Sequence, residues 1–166
     1  MLRIFLLIFL FISHGVQASP WNDADCGKTN ANEGKIFELN ITMSFHGAST
    51  FKFCKKPERH FLVLKSSLKT TGQEFEKKVI NLSNKEIEII TNKYIRALKY
   101  NTLDDTSGLD GSTWCIESQR GFTTYTKACF WSPGSNTEKR GLAGLYELGV
   151  YLWEISELKE QGIRLY

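Results

Sequence analysis

The stretch Gly108–Pro133, GLDGSTWCIESQRGFTTYTKACFWSP, constrains the fold more than any other part of this chain. Ser112–Ser118 reads as a strand, because Thr113, Trp114, Cys115 and Ile116 are β-branched, aromatic or small apolar residues that suit a pleated, half-buried surface. Phe122–Trp131 reads as a second strand, and Gln119-Arg120-Gly121 between them is turn material in which Gly121 supplies a positive φ. A disulfide between Cys115 and Cys129 requires the two residues to lie nearly opposite each other. That register sets Trp114 opposite Phe130, Ile116 opposite Ala128 and Glu117 opposite Lys127, giving one apolar face and a cross-strand ion pair.

The rest of the chain alternates in the same way and then changes period. Ser19–Gly34 is rich in Asn, Asp, Gly and Lys without periodicity and reads as an irregular lead-in. Phe37, Leu39, Ile41, Met43 and Phe45 alternate with polar residues, the period of two expected for a sheet with one buried face. His46-Gly47-Ala48 then turns the chain into a strand with Phe51 and Phe53, Lys55-Lys56-Pro57-Glu58 turns it again, and Phe61–Leu64 makes a third strand. After the polar stretch Lys69–Gln73, Phe75–Leu82 is a weaker fourth strand. Ser83-Asn84-Lys85-Glu86 matches a capping box, and Ile87, Ile90, Tyr94, Ile95 and Leu98 follow at helical spacing to about Lys99. Asp104–Gly108 and Ser132–Asn136 are loops, and Leu142, Leu145, Tyr146, Gly149, Leu152 and Trp153 define a second amphipathic helix ending near Leu158. Helices with a single apolar stripe, separated by antiparallel strands, imply an α+β fold: a meander plus a C-terminal hairpin, with both helices packed on one face.

Residues 1–18 carry Arg3, an apolar run Ile4–Ile12 and Val16-Gln17-Ala18, the pattern of a secretory signal too short to span a membrane. Cleavage after Ala18 would leave 148 of 166 residues, with 19–34 as the lead-in and 35–166 as a single domain, and no stable membrane span. The four cysteines, Cys26, Cys54, Cys115 and Cys129, suit an exported protein, periplasmic or secreted. Four cysteines allow three full connectivities, and if Cys115 pairs with Cys129 the remaining bond is Cys26–Cys54, clipping the N-terminal segment to the first hairpin. The formal charge of +3 is dispersed among acidic residues and gives no support to nucleic-acid binding.

No catalytic arrangement dominates. After signal removal only His46 and His60 remain, both beside expected turns, and no nucleophile-elbow pattern surrounds a serine. Asp104-Asp105, and Asp110 with Glu117, are the paired carboxylates from which a hydrolase would draw, although Asp110-Gly111 is also ordinary turn chemistry. The spacing of Cys and His predicts no metal site, and no cofactor motif occurs. Tyr125 and Trp131 fall on the hairpin face opposite Trp114 and Phe130 and are the candidate binding residues, with Trp131 expected as an exposed anchor. Asn40-Ile41-Thr42 and Asn81-Leu82-Ser83 match the glycosylation sequon, which matters only in a eukaryotic source.

The pattern Gly108-Leu109-Asp110-Gly111-Ser112-x-Trp114-x-x-Glu117, then Tyr125, Trp131-Ser132-Pro133 and an apolar helix, resembles a group of small uncharacterised exported proteins of Gram-negative bacteria. The similarity covers about the last half of the chain, from the capped helix onward. It implies an envelope location and a shared scaffold, and it supplies no activity. By elimination the expectation is a non-enzymatic binding protein of inhibitor or immunity type, acting on another protein in the envelope or outside the cell. The alternatives are an envelope hydrolase using Asp110 and Glu117, or a structural accessory protein.

Overall fold

A computed structural model of the chain describes residues 22–28, 33–67, 77–120, 124–158 and 165. The expected signal segment, the polar stretch Lys69–Gln73, and Gly121 of the hairpin turn lie outside the described residues.

The elements run β1 (Asn22–Asp23), β2 (Gly27–Lys28), β3 (Gly34–Met43), β4 (Gly47–Lys56), β5 (Arg59–Ser66), β6 (Lys78–Asn81), α1 (Asn84–Ala97), β7 (Ser112–Arg120), β8 (Thr124–Trp131) and α2 (Ala143–Ile155). Six strands form one antiparallel sheet in the order β6-β5-β4-β3-β7-β8, and β1 pairs with β2. The long strand β3 is thus the hub that joins the meander to the C-terminal hairpin. The hairpin register is the expected one: Trp114 faces Phe130, Cys115 faces Cys129, Ile116 faces Ala128 and Glu117 faces Lys127.

Both helices cover one face of the sheet. Phe37, Leu39, Ile41, Phe51, Phe53, Leu62, Leu64, Trp114, Ile116 and Phe130 from the strands form one core with Ile90, Tyr94 and Ala97 of α1 and Leu145, Leu148, Leu152 and Trp153 of α2. The α1 start is the expected capping box, with Ser83 accepting from the Glu86 N–H and the Glu86 carboxylate accepting from the Ser83 N–H. Arg96 of α1 forms a forked pair with Glu147 of α2 at 2.8 and 2.9 Å, fastening the two helices at their solvent edge. Close packing beneath them depends on Gly149, where a Cβ would come within 2.1 Å of the Trp114 ring.

The opposite face is polar except at one end. There Cys26, Cys54, Phe61 and Val63 make a second small cluster, closed by the Cys26–Cys54 disulfide that clips the N-terminal segment to β4. Cys115–Cys129 is the other bond, and no described cysteine is free.

Several local expectations are corrected. The lead-in is not wholly irregular, because Asp23 accepts from the Asp25 and Cys26 N–H groups and so folds a tight turn between β1 and β2. β3 ends at Met43, so Phe45 leaves the alternation and stands 74% exposed in the β3–β4 turn. β7 runs through Gln119 and Arg120, expected in the turn, and β6 spans Lys78–Asn81, Phe75 and Glu76 of the expected strand lying outside the described residues.

Candidate functional site

A cleft of about 540 Å³ opens at the end of the sheet where β3 meets β4 and β7 begins. Its lining comes from the β3–β4 turn (Ser44, Phe45, His46), the corner before β7 (Asp110, Gly111), the loop after β8 (Trp131, Ser132, Gly134, Ser135) and Tyr146 of α2. That volume lies within the range of small-ligand pockets.

The walls are fixed by an interlocking set of bonds. The Gly111 carbonyl accepts from both the N–H and the hydroxyl of Ser44, at 3.0 and 3.1 Å, which ties the β7 corner to the end of β3. Ser132 donates its N–H to the Ser112 carbonyl at 2.6 Å, while its hydroxyl oxygen accepts from the Ser112 N–H at 3.2 Å. This pairing holds Ser132 at φ 38°, a left-handed conformation that a side-chain-bearing residue adopts only under constraint. Gly111, at φ 150°, tolerates no side chain, since a Cβ would lie 2.3 Å from the Ser132 hydroxyl.

Arg140 holds the post-β8 loop from behind. Its Nε and Nη2 donate to the two carboxylate oxygens of Asp104 at 3.0 and 2.8 Å. Nη1 donates to the Ser132 and Ser135 carbonyls and Nη2 also to the Trp131 carbonyl. All five N–H groups of the guanidinium therefore have partners. Arg140 and Asp104 are 9% and 4% exposed at their side chains, and the guanidinium lowers the Asp104 carboxyl to about 2, below its ordinary range. Asp104 is thus an anchor of the loop and not half of a catalytic pair with exposed Asp105.

The structure does not bring Asp110 and Glu117 together. Asp110 lines the cleft, whereas Glu117 lies five residues up β7 from Ser112, about 17 Å of strand. Two acids flanking a glycosidic bond stand no more than about 10 Å apart. Glu117 also has a different partner from the expected one: its carboxylate binds the Lys35 ammonium at 2.6 Å, and Lys127, although opposite in register, is exposed. Burial raises the Glu117 pKa, but the hydrogen bond and charge of Lys35, together with smaller contributions from Tyr125 and Lys127, carry the net shift downward. His46 and His60 are likewise separated, one at the cleft and the other on β5 opposite Lys55, stacked on Phe53 at 5.6 Å.

Lys35 and Glu117 belong to a chain of charges across the polar face. Lys35 also meets Glu38 at 3.2 Å, Lys52 bridges Asp23 and Asp25 at 2.8 and 2.9 Å, and Lys65 and Lys77 reach Asp25 at 2.7 and 2.8 Å. Burial raises the Asp25 carboxyl, yet the three ammonium groups around it carry it well below the usual range. Each of these acids is paired with a lysine, so the network fastens the N-terminal turn to the sheet. No group of three or more His, Cys, Asp or Glu residues among those described is arranged to hold a metal.

The two candidate binding residues occupy different surroundings. Tyr125 is 51% exposed near the hairpin end, and its hydroxyl is pushed up by burial and by the adjacent Glu117. Trp131 is partly buried, its ring lying against Gly108 and Gly111, where a Cβ on Gly108 would approach within 2.3 Å. It forms a wall of the cleft and does not protrude as the expected exposed anchor. They share one face of β8 but are six residues, about 20 Å, apart. Sequence reasoning missed Arg140, whose partners are scattered from Asp104 to Ser135, and missed Phe45 and Tyr146 as cleft residues; Asp110-Gly111 and the Trp131-Ser132-Pro133 pattern were the local signals of the site.

Compared with protein-family models, curated proteins and solved structures, the chain finds no match in any of the three.

Proposed function

We propose that the protein is an exported, non-enzymatic binding protein of inhibitor or immunity type, and that the cleft beside Asp110 and Trp131 receives part of a partner protein. The observation that carries this reading is the construction of the cleft: a left-handed Ser132, a glycine corner and a fully bonded Arg140 hold its walls in place before any partner arrives. Two disulfides fit an oxidising compartment, periplasmic or extracellular, and no helix among the described residues is long and apolar enough to cross a membrane. The resemblance of the C-terminal half to exported Gram-negative proteins is in keeping with that location. The hydrolase reading loses support from the separation of Asp110 and Glu117 along β7.

The test is capture of a partner from envelope extract by the mature protein. A partner held at equal stoichiometry by wild type and lost by Trp131→Ala supports the reading. Capture that is indifferent to Trp131 and abolished by Tyr125→Ala would move the binding surface to the hairpin end.

A further inference from the structure

We propose that the cleft is a receptor for a cationic side chain, an arginine or lysine projecting from the partner protein, with Asp110 as its counter-ion. This rests on the binding reading above and specifies its chemistry. Among the described residues, Asp110 is the only carboxylate in the lining and no lysine or arginine lines the cleft. Its carboxylate has no hydrogen-bond or ion-pair partner among the described residues, in contrast to Asp23, Asp25, Asp104 and Glu117. Arg140 does not neutralise it, because its N–H groups are taken by Asp104 and by the carbonyls of residues 131, 132 and 135.

The remaining lining selects among occupants. Phe45, Trp131 and Tyr146 offer three aromatic rings around the same space, and ring faces attract guanidinium and ammonium groups. An anion entering here would meet Asp110, with no lysine or arginine among the described lining residues to receive it. A neutral apolar group would strip water from the carboxylate without replacing its hydrogen bonds. Only a cation gains both the charge-assisted pair with Asp110 and the ring contacts. The acid is also held in place, since its neighbour Gly111 is pinned through its carbonyl by Ser44. The chain as a whole is positive at +3, so the attraction is a property of this cleft and not of a general acidic field.

The experiment compares three flat probes of nearly one shape: benzamidine (cation), benzamide (neutral) and benzoate (anion), titrated into the mature protein and followed by amide NMR shifts. Benzamidine is expected to give saturable shifts at Gly111, Ser132 and Ser135, benzamide to bind about tenfold more weakly and benzoate not to bind. Asp110→Asn, which keeps the side-chain shape, is expected to weaken benzamidine about fivefold or more with unchanged melting temperature, while Asp105→Asn leaves it unaltered. Equal binding of benzamidine and benzamide, shifts centred elsewhere, or an Asp110→Asn protein that binds like wild type would each overturn the proposal. Envelope capture run in parallel separates the two readings. A partner held equally by wild type and Asp110→Asn overturns the cation receptor and leaves the binding reading intact. Benzamidine binding with no protein captured overturns the protein partner and leaves only the preference of the cleft for a cation.

Discussion

Replacing Arg140 by alanine perturbs the one side chain that joins the Asp104 loop to the Trp131–Ser135 loop. The substitution removes five hydrogen bonds, two of them to a carboxylate whose side chain is 4% exposed and three to backbone carbonyls. Removing one member of a buried ion pair costs about 3–5 kcal/mol, the Thr106 hydroxyl that still donates to Asp104 keeps the loss from the top of that range, and the carbonyls add to it only where water does not reach them. The expected destabilisation is about 3–4 kcal/mol, because the loops can open enough to hydrate part of what is lost. Urea unfolding of the oxidised protein, read by tryptophan fluorescence with an unchanged slope, measures it. A double-mutant cycle isolates the pair: Asp104→Ala in the Arg140→Ala background costs little more, since the buried carboxylate that made the single change expensive is gone, and the coupling is about 2 kcal/mol. A loss under about 1 kcal/mol for Arg140→Ala, or strictly additive losses in the double variant, would refute the role given to this pair.

Trp114→Ala is expected to cost about 3–5 kcal/mol, since the ring is fully buried and its Nε1 donates to the Ser112 hydroxyl, whereas Trp131→Ala, half-covered by the Gly108–Gly111 corner, costs about half as much; urea midpoints compare them. Graded reduction should open Cys115–Cys129 before Cys26–Cys54, because Cys129 is exposed on an edge strand while Cys26 and Cys54 are fully buried; mass spectrometry of trapped thiols gives the order, and the reverse would contradict the placement of the bonds. Asp23, Asp25, Asp104 and Glu117 all have lowered pKa values in the fold, so their contribution is present above the ordinary 3.8 to 4.5 and is lost as pH falls through the folded values. Lys35 and Lys52 are raised, so theirs is present below 10.5 and lost above it; melting temperature against pH should therefore show a plateau with falling flanks on both sides.

What could be read from the residues was what periodicity and local chemistry encode. The alternation of Phe37 to Met43 and the facing of Trp114 with Phe130 fix which side of each strand is buried, and a one-residue slip would have turned every one of those side chains outward. The capping box at Ser83 marks α1 because its two hydrogen bonds are made within three residues. The cleft left a weaker trace, since its walls come from turns and from α2, segments distant in sequence. Arg140 sits in a polar loop where nothing local distinguishes it from Lys139, and its role depends on a carboxylate 36 residues away. Lys35 took Glu117 in place of Lys127 because β3 lies beside β7, a long-range pairing that the hairpin alone does not reveal. Phe45 continued the alternation in sequence but fell one turn beyond the end of the strand.

Photo-crosslinking in the native envelope would reveal a protein partner seated at the cleft. A benzophenone amino acid replaces Phe45, exposed at the cleft lip, or Val79, 50% exposed on the β6 edge strand at the other side of the sheet. One discrete higher-mass adduct is expected from position 45, lost when Asp110→Asn is added, and none from position 79. The same adduct from position 79, or none from position 45 in cells that express both variants stably, would contradict it.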